Sequence, residues 1–298
     1  MKGWIVTELS ISTSAGVFDA TVAGPPEGRP VLLLHGFPQT GLAWQRQIAA
    51  LAEHGHRVVA PDQRGYSPGA RPERPEDYRI GALVGDVLAI TEELGWASFD
   101  LVGHDWGGAV AWWTADAHPG RVRTLTVVST PHPGALATTL RTDQDQRERS
   151  RYMIDWREAP ATEEHMLADD AEALRASYAG KVPQDSAEAY VRHLSQPGAL
   201  TAALNWYRAG PPDGAIGVID VPTLYVWSTQ DSAFGPAAAQ ETGQWVTGPY
   251  RFETLQGVSH WVPEEAPETL NLLLLEHLRA HGDHGTTAKS PTADSQNR

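Results

Sequence analysis

Short apolar runs recur along the chain: VLLLH at 31–35, RVVAP at 57–61, FDLVGHD at 99–105, TLTVVS at 124–129 and, after a long gap, TLYVW at 223–227. Runs this short, apolar at successive positions and separated by helical-length stretches, predict the buried strands of a parallel sheet joined by crossover helices. Two earlier segments, residues 4–10 and 17–23, alternate apolar with polar residues and lie about one turn (12–16) apart. They predict an antiparallel hairpin at one sheet edge, and so a mixed sheet.

Beyond Pro133 the strand signal stops until about Pro212. Ala-rich and charge-rich stretches such as 161–178 and 186–194 read as helices there. The chain is therefore expected to divide into a core of residues 1–133 and 213–281 and a helical insertion of residues 134–212. The closing stretch DHGTTAKSPTADSQNR is small, polar and Pro-containing, so residues 282–298 are expected to form a disordered tail. No internal repeat is present.

Composition narrows the function classes. The 298 residues, 41 % of them hydrophobic, suffice for a large core. A formal charge of -14, from 23 basic against 37 acidic residues, opposes an electrostatic grip on nucleic acid or an anionic membrane, and a small neutral partner fits better. The absence of cysteine removes disulfides, thiolate metal sites and a cysteine nucleophile. The opening MKGWIVTELS has no long apolar region, and the apolar helix near 270–278 is interrupted by Glu276 and His277. A soluble, cytoplasmic protein is the expectation. Glu276, His277 and His281 could mimic a metal cluster, but near a helix C-terminus they read as solvated residues.

The chemistry is carried by GHDWGG at 103–108, which follows an apolar run and precedes a helical stretch from Trp106 to about Ala117. A small residue, any residue, a nucleophile, any residue and two small residues make the form of a nucleophile elbow, whose strand-to-helix turn lifts one side chain above the sheet. The lifted residue is Asp105, at a helix N-terminus that favours negative charge, with the Trp106 N–H aimed at the reacting centre. A second N–H donor is expected from HGFP at 35–38, at Phe37, where Gly36 permits the turn and Pro38 stiffens it, a cis bond being one way to do so. A carboxylate nucleophile needs no base for its own attack, but the ester it forms must be hydrolysed by an activated water. His260, after a strand and before the final helix, is placed to activate it, and Asp231, at the end of TLYVWSTQD, to orient the histidine.

HGFPQ, DQRGYSPGARP, GHDWGG and GVSHWVPEEAP resemble the alpha/beta-hydrolase superfamily, in its aspartate-nucleophile branch of epoxide hydrolases and haloalkane dehalogenases, from about residue 4 to residue 281. The resemblance implies an α/β fold: a mostly parallel eight-stranded sheet flanked by helices, with an inserted helical cap. It also implies attack by Asp105 on an epoxide or alkyl halide, hydrolysis by a His260-activated water, and an oxyanion held by the Phe37 and Trp106 N–H groups. An epoxide oxygen leaves as an alkoxide and benefits from a proton donor, whereas a halide needs only N–H groups. Similar epoxide hydrolases carry two cap tyrosines, one in Asn-Trp-Tyr-Arg; NWYR at 205–208 points to Tyr207, and RYMIDWREAP at 151–160 points to Tyr152. Both could instead be packing aromatics, the reading given to Tyr178 and Tyr190.

Dehalogenases usually place an Asn after His-Gly, where Phe37 stands, or a second Trp in the cap, an option that Trp156 and Trp206 leave open. Fluoroacetate dehalogenases resemble GHDRGG-R, but Trp106 and Val110 stand at the arginine positions. The sequence thus predicts an epoxide hydrolase acting on a small apolar epoxide and water, with no cofactor and no metal, and leaves room for a homodimer. A dehalogenase with the same Asp-His-Asp triad and a non-catalytic receptor remain the alternatives.

Overall fold

The computed structural model describes residues 4–282 except Pro160, Pro211 and Asp213, so nearly all of the expected tail lies outside the described residues. Eight strands form one sheet: β1 (Thr7–Thr13), β2 (Gly16–Ala23), β3 (Arg29–Leu34), β4 (His56–Pro61), β5 (Phe99–His104), β6 (Val122–Val128), β7 (Thr223–Gln230) and β8 (Tyr250–Ser259). Their order is β1-β2-β4-β3-β5-β6-β7-β8. The β1/β2 and β2/β4 pairs are antiparallel and the remainder parallel, as the expected edge hairpin on a buried sheet requires.

The central strands are apolar at successive positions because both faces are covered. In β3, Val31 and Leu33 pack with Ile48 and Leu51 of the helix Gln45–Glu53 and with Leu270 and Leu274 of the helix Pro267–Ala280. Leu32 and Leu34 point the other way, into the cluster that holds Leu83 and Val87 of Ile80–Glu93 and Val110 and Ala111 of Trp106–Ala117. Leu34 pairs with Gly103, His104 with Val128 and Val128 with Val226. This register brings the residues that follow β3, β5, β6 and β7 to one sheet edge, where ligands of open parallel sheets bind.

Several details differ from expectation. The hairpin turn is tighter than 12–16, because β1 continues to Thr13 and pairs it with Gly16, while the Thr13 hydroxyl bonds the Gly16 carbonyl and the Ala15 N–H. Strand β8 begins at Tyr250 without an apolar run, since it is the sheet edge and leaves alternate polar side chains in water. The stretch 161–178 is not one helix: Thr162–Ser177 is broken at Ala168–Ala171, with Asp169, Asp170 and Ala171 in left-handed backbone. Aspartate tolerates that region better than most side chains, which weakens the helix there. His277 is 3 % exposed rather than solvated, and burial lowers its pKa to about 4.

Between β6 and β7 the chain adds the helices Pro133–Thr142, Gln144–Arg149, Arg151–Glu158, Gln184–Leu194 and Ala199–Arg208 beside the broken one. Specific bonds seat them on the sheet edge: Tyr178 Oη donates to the Pro38 carbonyl at 2.8 Å, Trp206 Nε1 to the Arg64 carbonyl at 2.9 Å, and Gln146 Nε2 to the Ala233 carbonyl at 3.0 Å. Among the described residues no helix is long and apolar enough to cross a membrane.

At the opposite end of the sheet Asp100 of β5 is fully buried, bridged by Arg29 at 2.5 and 2.6 Å and by Arg123 at 3.0 Å, with Thr124 Oγ1 at 2.8 Å. Asp100→Ala would leave two guanidiniums facing each other without their anion. Denaturant unfolding is expected to show a loss of about 3 kcal/mol; a change under about 0.5 kcal/mol, typical of a surface site, would contradict this reading.

Candidate active site

Asp105 lies between the last residue of β5 and the first of the helix Trp106–Ala117, with φ 53 and ψ -121. An L-residue in such backbone is strained by about 1–3 kcal/mol and persists only where its surroundings impose it. Here the surroundings are glycines: a Cβ on Gly103 would stand 2.2 Å from the Gly107 carbonyl oxygen, one on Gly107 2.1 Å from the Leu34 carbonyl oxygen, and one on Gly36 2.3 Å from the Asp105 side chain. The Thr130 hydroxyl also donates to the Asp105 carbonyl at 2.7 Å. The turn expected at GHDWGG is present, and Asp105 projects from it 7 % exposed.

Its carboxylate oxygens are differently held. Oδ1 accepts the Phe37 N–H at 2.8 Å, and the Phe37–Pro38 peptide is cis. Oδ2 lies 3.5 Å from His260 Nε2. The other ring nitrogen of His260, Nδ1, lies 3.2 Å from both Asp231 oxygens and 2.9 Å from Ser129 Oγ. Asp231 is fixed in turn by the Ala233 and Phe234 N–H groups at 2.8 and 3.0 Å and by the Ser129 hydroxyl at 2.5 Å. The structure thus assembles Asp105, His260 and Asp231 from the ends of three strands.

Burial alone would raise the Asp105 carboxyl, but its hydrogen bond and charge attraction to His260, with help from the Trp106 N–H, hold it below the ordinary carboxylate range. Asp231 is held low in the same way, against its burial, by His260, Ser129 and the Phe234 N–H. Burial would lower His260; the two carboxylates outweigh it and raise the imidazole above its usual value. Asp105 and Asp231 are therefore anions across the neutral range, with His260 binding its proton tightly between them.

A cavity of about 540 Å³ opens over Asp105, lined among others by Trp106, Tyr152, Trp206, Tyr207 and Phe234. Both tyrosines expected in the insertion reach it. Tyr207 packs against Trp106 with ring centres 5.1 Å apart, and Tyr152 lies 6.3 Å from Tyr207. Burial and the nearby Asp105 charge push both phenols well above their usual pKa; for Tyr207 the Trp106 side chain pulls weakly the other way. Each is a neutral O–H donor in mid pH. The competitors face elsewhere: Tyr178 bonds the Pro38 carbonyl and Tyr190 the Glu264 carboxyl. Arg64 is paired with Asp86 at 2.6 and 2.7 Å, and Tyr66 packs edge-on against His35.

Three contributors escaped the sequence reading. Ser129, the last residue of TLTVVS, bonds both Asp231 and His260; a serine closing an apolar strand beside the elbow was the available signal. His104, inside GHDWGG, places Nε2 2.8 Å from the His260 carbonyl oxygen, and Gln39 bridges His104 to Glu264. Among the described residues no group of three His, Asp or Glu could hold a metal; Glu276 instead bonds Arg251.

A family described as alpha/beta hydrolase fold matches residues 29–267. Epoxide hydrolase 3 of Xenopus tropicalis is 33 % identical over 88 % of this chain and 74 % of its own length. Epoxide hydrolase A of Mycobacterium tuberculosis is 30 % identical over 91 % of this chain and 97 % of its own. The chain belongs to the epoxide hydrolase family of alpha/beta hydrolases. A solved structure of a Bacillus megaterium epoxide hydrolase variant, complexed with a naphthyloxy-propane-diol product, superposes on this hydrolase with a TM-score of 0.82 at 27 % identity, covering 91 % of this chain and 100 % of that one.

The contacts at Gly103 yield a stability test. Gly103→Ala would drive a Cβ into the Gly107 backbone and separate strand from helix, an overpacking expected to lower unfolding stability by about 3 kcal/mol. An unchanged melting temperature would show that the elbow does not need this close approach.

Proposed function

We propose that the protein opens an epoxide to a vicinal diol through a covalent ester on Asp105. The observation that carries this reading is that two neutral tyrosines share the cavity with an ionised Asp105, one of whose oxygens is held by a backbone N–H while the other faces the histidine. Residues 134–212 act as the cap that supplies the tyrosines, and residues 1–133 and 213–281 as the core that supplies the triad.

In the first step Asp105 Oδ2 attacks an epoxide carbon, the C–O bond breaks, and Tyr152 or Tyr207 gives its proton to the departing oxygen. Esterification removes the negative charge 3.5 Å from His260. The imidazole then loses much of what raised its proton affinity and passes its proton to the tyrosinate. Neutral His260 next takes a proton from water, whose hydroxide adds to the ester carbonyl. The oxyanion forms on Oδ1, where the Phe37 and Trp106 N–H groups stabilise it. Collapse breaks the bond between the carbonyl carbon and Oδ2 and expels the product as an alkoxide, which takes the proton left on Asp105 to become the diol, and the starting charges return. Asp231, anchored by Ser129 and two N–H groups, holds the ring in register.

The names of the relatives support an epoxide over a halide, and so does Trp206. A halide site built from two indoles needs both N–H groups free, whereas Trp206 Nε1 is bound to the Arg64 carbonyl. An apolar cavity of about 540 Å³ suits an uncharged epoxide with an aryl or alkyl substituent.

Purified protein is to be assayed for diol from aryl and alkyl epoxides and for halide from bromoalkanes under the same conditions, with diol expected and halide not. Halide without diol would move the function to dehalogenation, and silence in both would favour a receptor. Asp105→Ala should be inactive, and His260→Gln should stop as an ester visible by intact-mass spectrometry as a gain of one substrate mass. Tyr207→Phe should slow ring opening by roughly tenfold to hundredfold, since Tyr152 remains, and the double Phe variant by about 10²–10⁴.

A further inference from the structure

Behind the Asp105–His260 pair runs a second line of polar groups that ring opening does not use. Tyr190 Oη donates to Glu264 Oε1 at 2.9 Å, Glu264 Oε2 lies 2.5 Å from the Gln39 amide, the other end of that amide lies 3.2 Å from His104 Nδ1, and His104 Nε2 lies 2.8 Å from the His260 carbonyl oxygen. Hydrogen-bond direction restricts where its protons sit. A carbonyl oxygen only accepts, so His104 Nε2 carries hydrogen.

Two arrangements then satisfy the line. With the Gln39 oxygen toward Nδ1 and its N–H toward Glu264, His104 needs a second hydrogen and is an imidazolium, while Glu264 is a carboxylate. With the amide turned over, its N–H donates to Nδ1 and its oxygen meets Glu264, which must then carry a proton. Both arrangements hold the same number of protons and the same net charge. They differ by one proton moved from His104 to Glu264 and by rotation of an amide whose two ends have nearly the same shape.

We infer that Glu264 works as a neutral acid, the donor that starts a one-way hydrogen-bond line through Gln39 and His104 to the backbone of His260, and so is a positioning residue for the hydrolytic base. An imidazolium at His104 would be wholly buried with its ring centre 4.8 Å from that of His260, which already carries charge in the free protein. A protonated Glu264 has neither fault: a carboxylic O–H facing an amide oxygen at 2.5 Å falls within the ordinary O–H···O range, which runs shorter than that of N–H···O, and Tyr190 donates to its other oxygen. Burial acts in the same sense at both ends, pushing Glu264 up to about 7 and His104 down to about 4.

The other titratable or charged groups facing Glu264 are Tyr190 and Tyr178 from the insertion, and its chain neighbour Glu265 is paired with Lys181 at 3.1 Å. Tyr190 and Tyr178 are buried phenols that stay neutral, and the Lys181–Glu265 pair balances itself. Glu264 is therefore the group of this cluster that changes charge near neutrality. When it ionises it can no longer donate, the Gln39 amide must turn, and His104 loses the donor at Nδ1.

This inference rests on the proposed hydrolytic role of His260, and its test has one readout that needs no turnover. Glu264 binds its proton more tightly folded, at about 7, than at the ordinary 4.5. Between those values the native protein holds more protons than the unfolded one, so its stability falls as pH rises through the window. Melting temperatures of the parent relative to E264Q, measured from pH 4.5 to 8, are expected to fall across it, because the amide introduced by E264Q donates to Gln39 at every pH. In turnover, E264A should slow diol formation at all pH values, and E264Q should recover the rate and remove the decline that the parent shows above about pH 7. A parent-to-E264Q difference that does not change with pH would overturn the neutral acid whatever the activity. A pH-dependent difference with identical turnover profiles would overturn the positioning role.

Discussion

One residue must change the chain from strand to helix at Asp105, and the backbone there, at φ 53 and ψ -121, lies where L-residues are strained. The rest of the site is arranged around that turn. Glycines at 36, 103 and 107 stand where any Cβ would meet backbone or Asp105 itself, so the strand, the helix and the loop after β3 can close on one another. Closing them sets the Phe37 N–H 2.8 Å from Asp105 Oδ1 and leaves Oδ2 toward His260 and the cavity. The strain has a structural return, because the carboxylate stands at a helix N-terminus with its two oxygens already distinguished.

Electrostatics then follow from burial. Two carboxylates share one imidazole in a site where each of the three is less than a tenth exposed, so their mutual attraction is weakly screened and outweighs the cost of removing them from water. The neighbouring histidines take the opposite course. Burial lowers His35 to about 3 and His104 to about 4, so they serve as neutral hydrogen-bonding pieces in the wall around the charged triad. The insertion completes the environment with an apolar cavity and two phenols whose pKa values rise, keeping their protons available near the Asp105 carboxylate.

The fold was legible where the pattern is local. Both faces of β3 through β7 are covered, so those strands read as continuous apolar runs, and the elbow read as a string of small residues around an aspartate. Strand β8 was read only as the strand before His260, with no start assigned, and the break at Ala168–Ala171 was not read at all. An edge strand half in water has no apolar run, and a helix break made by aspartates looks, residue by residue, like an exposed helical face.

The amino-acid sequence by itself determined the succession of the buried strands and the elbow, and it pointed to Asp105, Asp231 and His260 as candidates for chemistry because each lies at a recognisable place relative to its own neighbours in the chain, while Tyr152 and Tyr207 were reached through the resemblance of their segments to epoxide hydrolases. Only the tertiary structure decided which groups meet and in what charge state. Ser129 reaches His260 across 131 positions, and Gln39 reaches Glu264 across 225. A hydrogen bond between residues so far apart leaves no periodic trace in the sequence, and a proton's place on it is set by the partners on either side, which exist only once the sheet has brought its strand ends together.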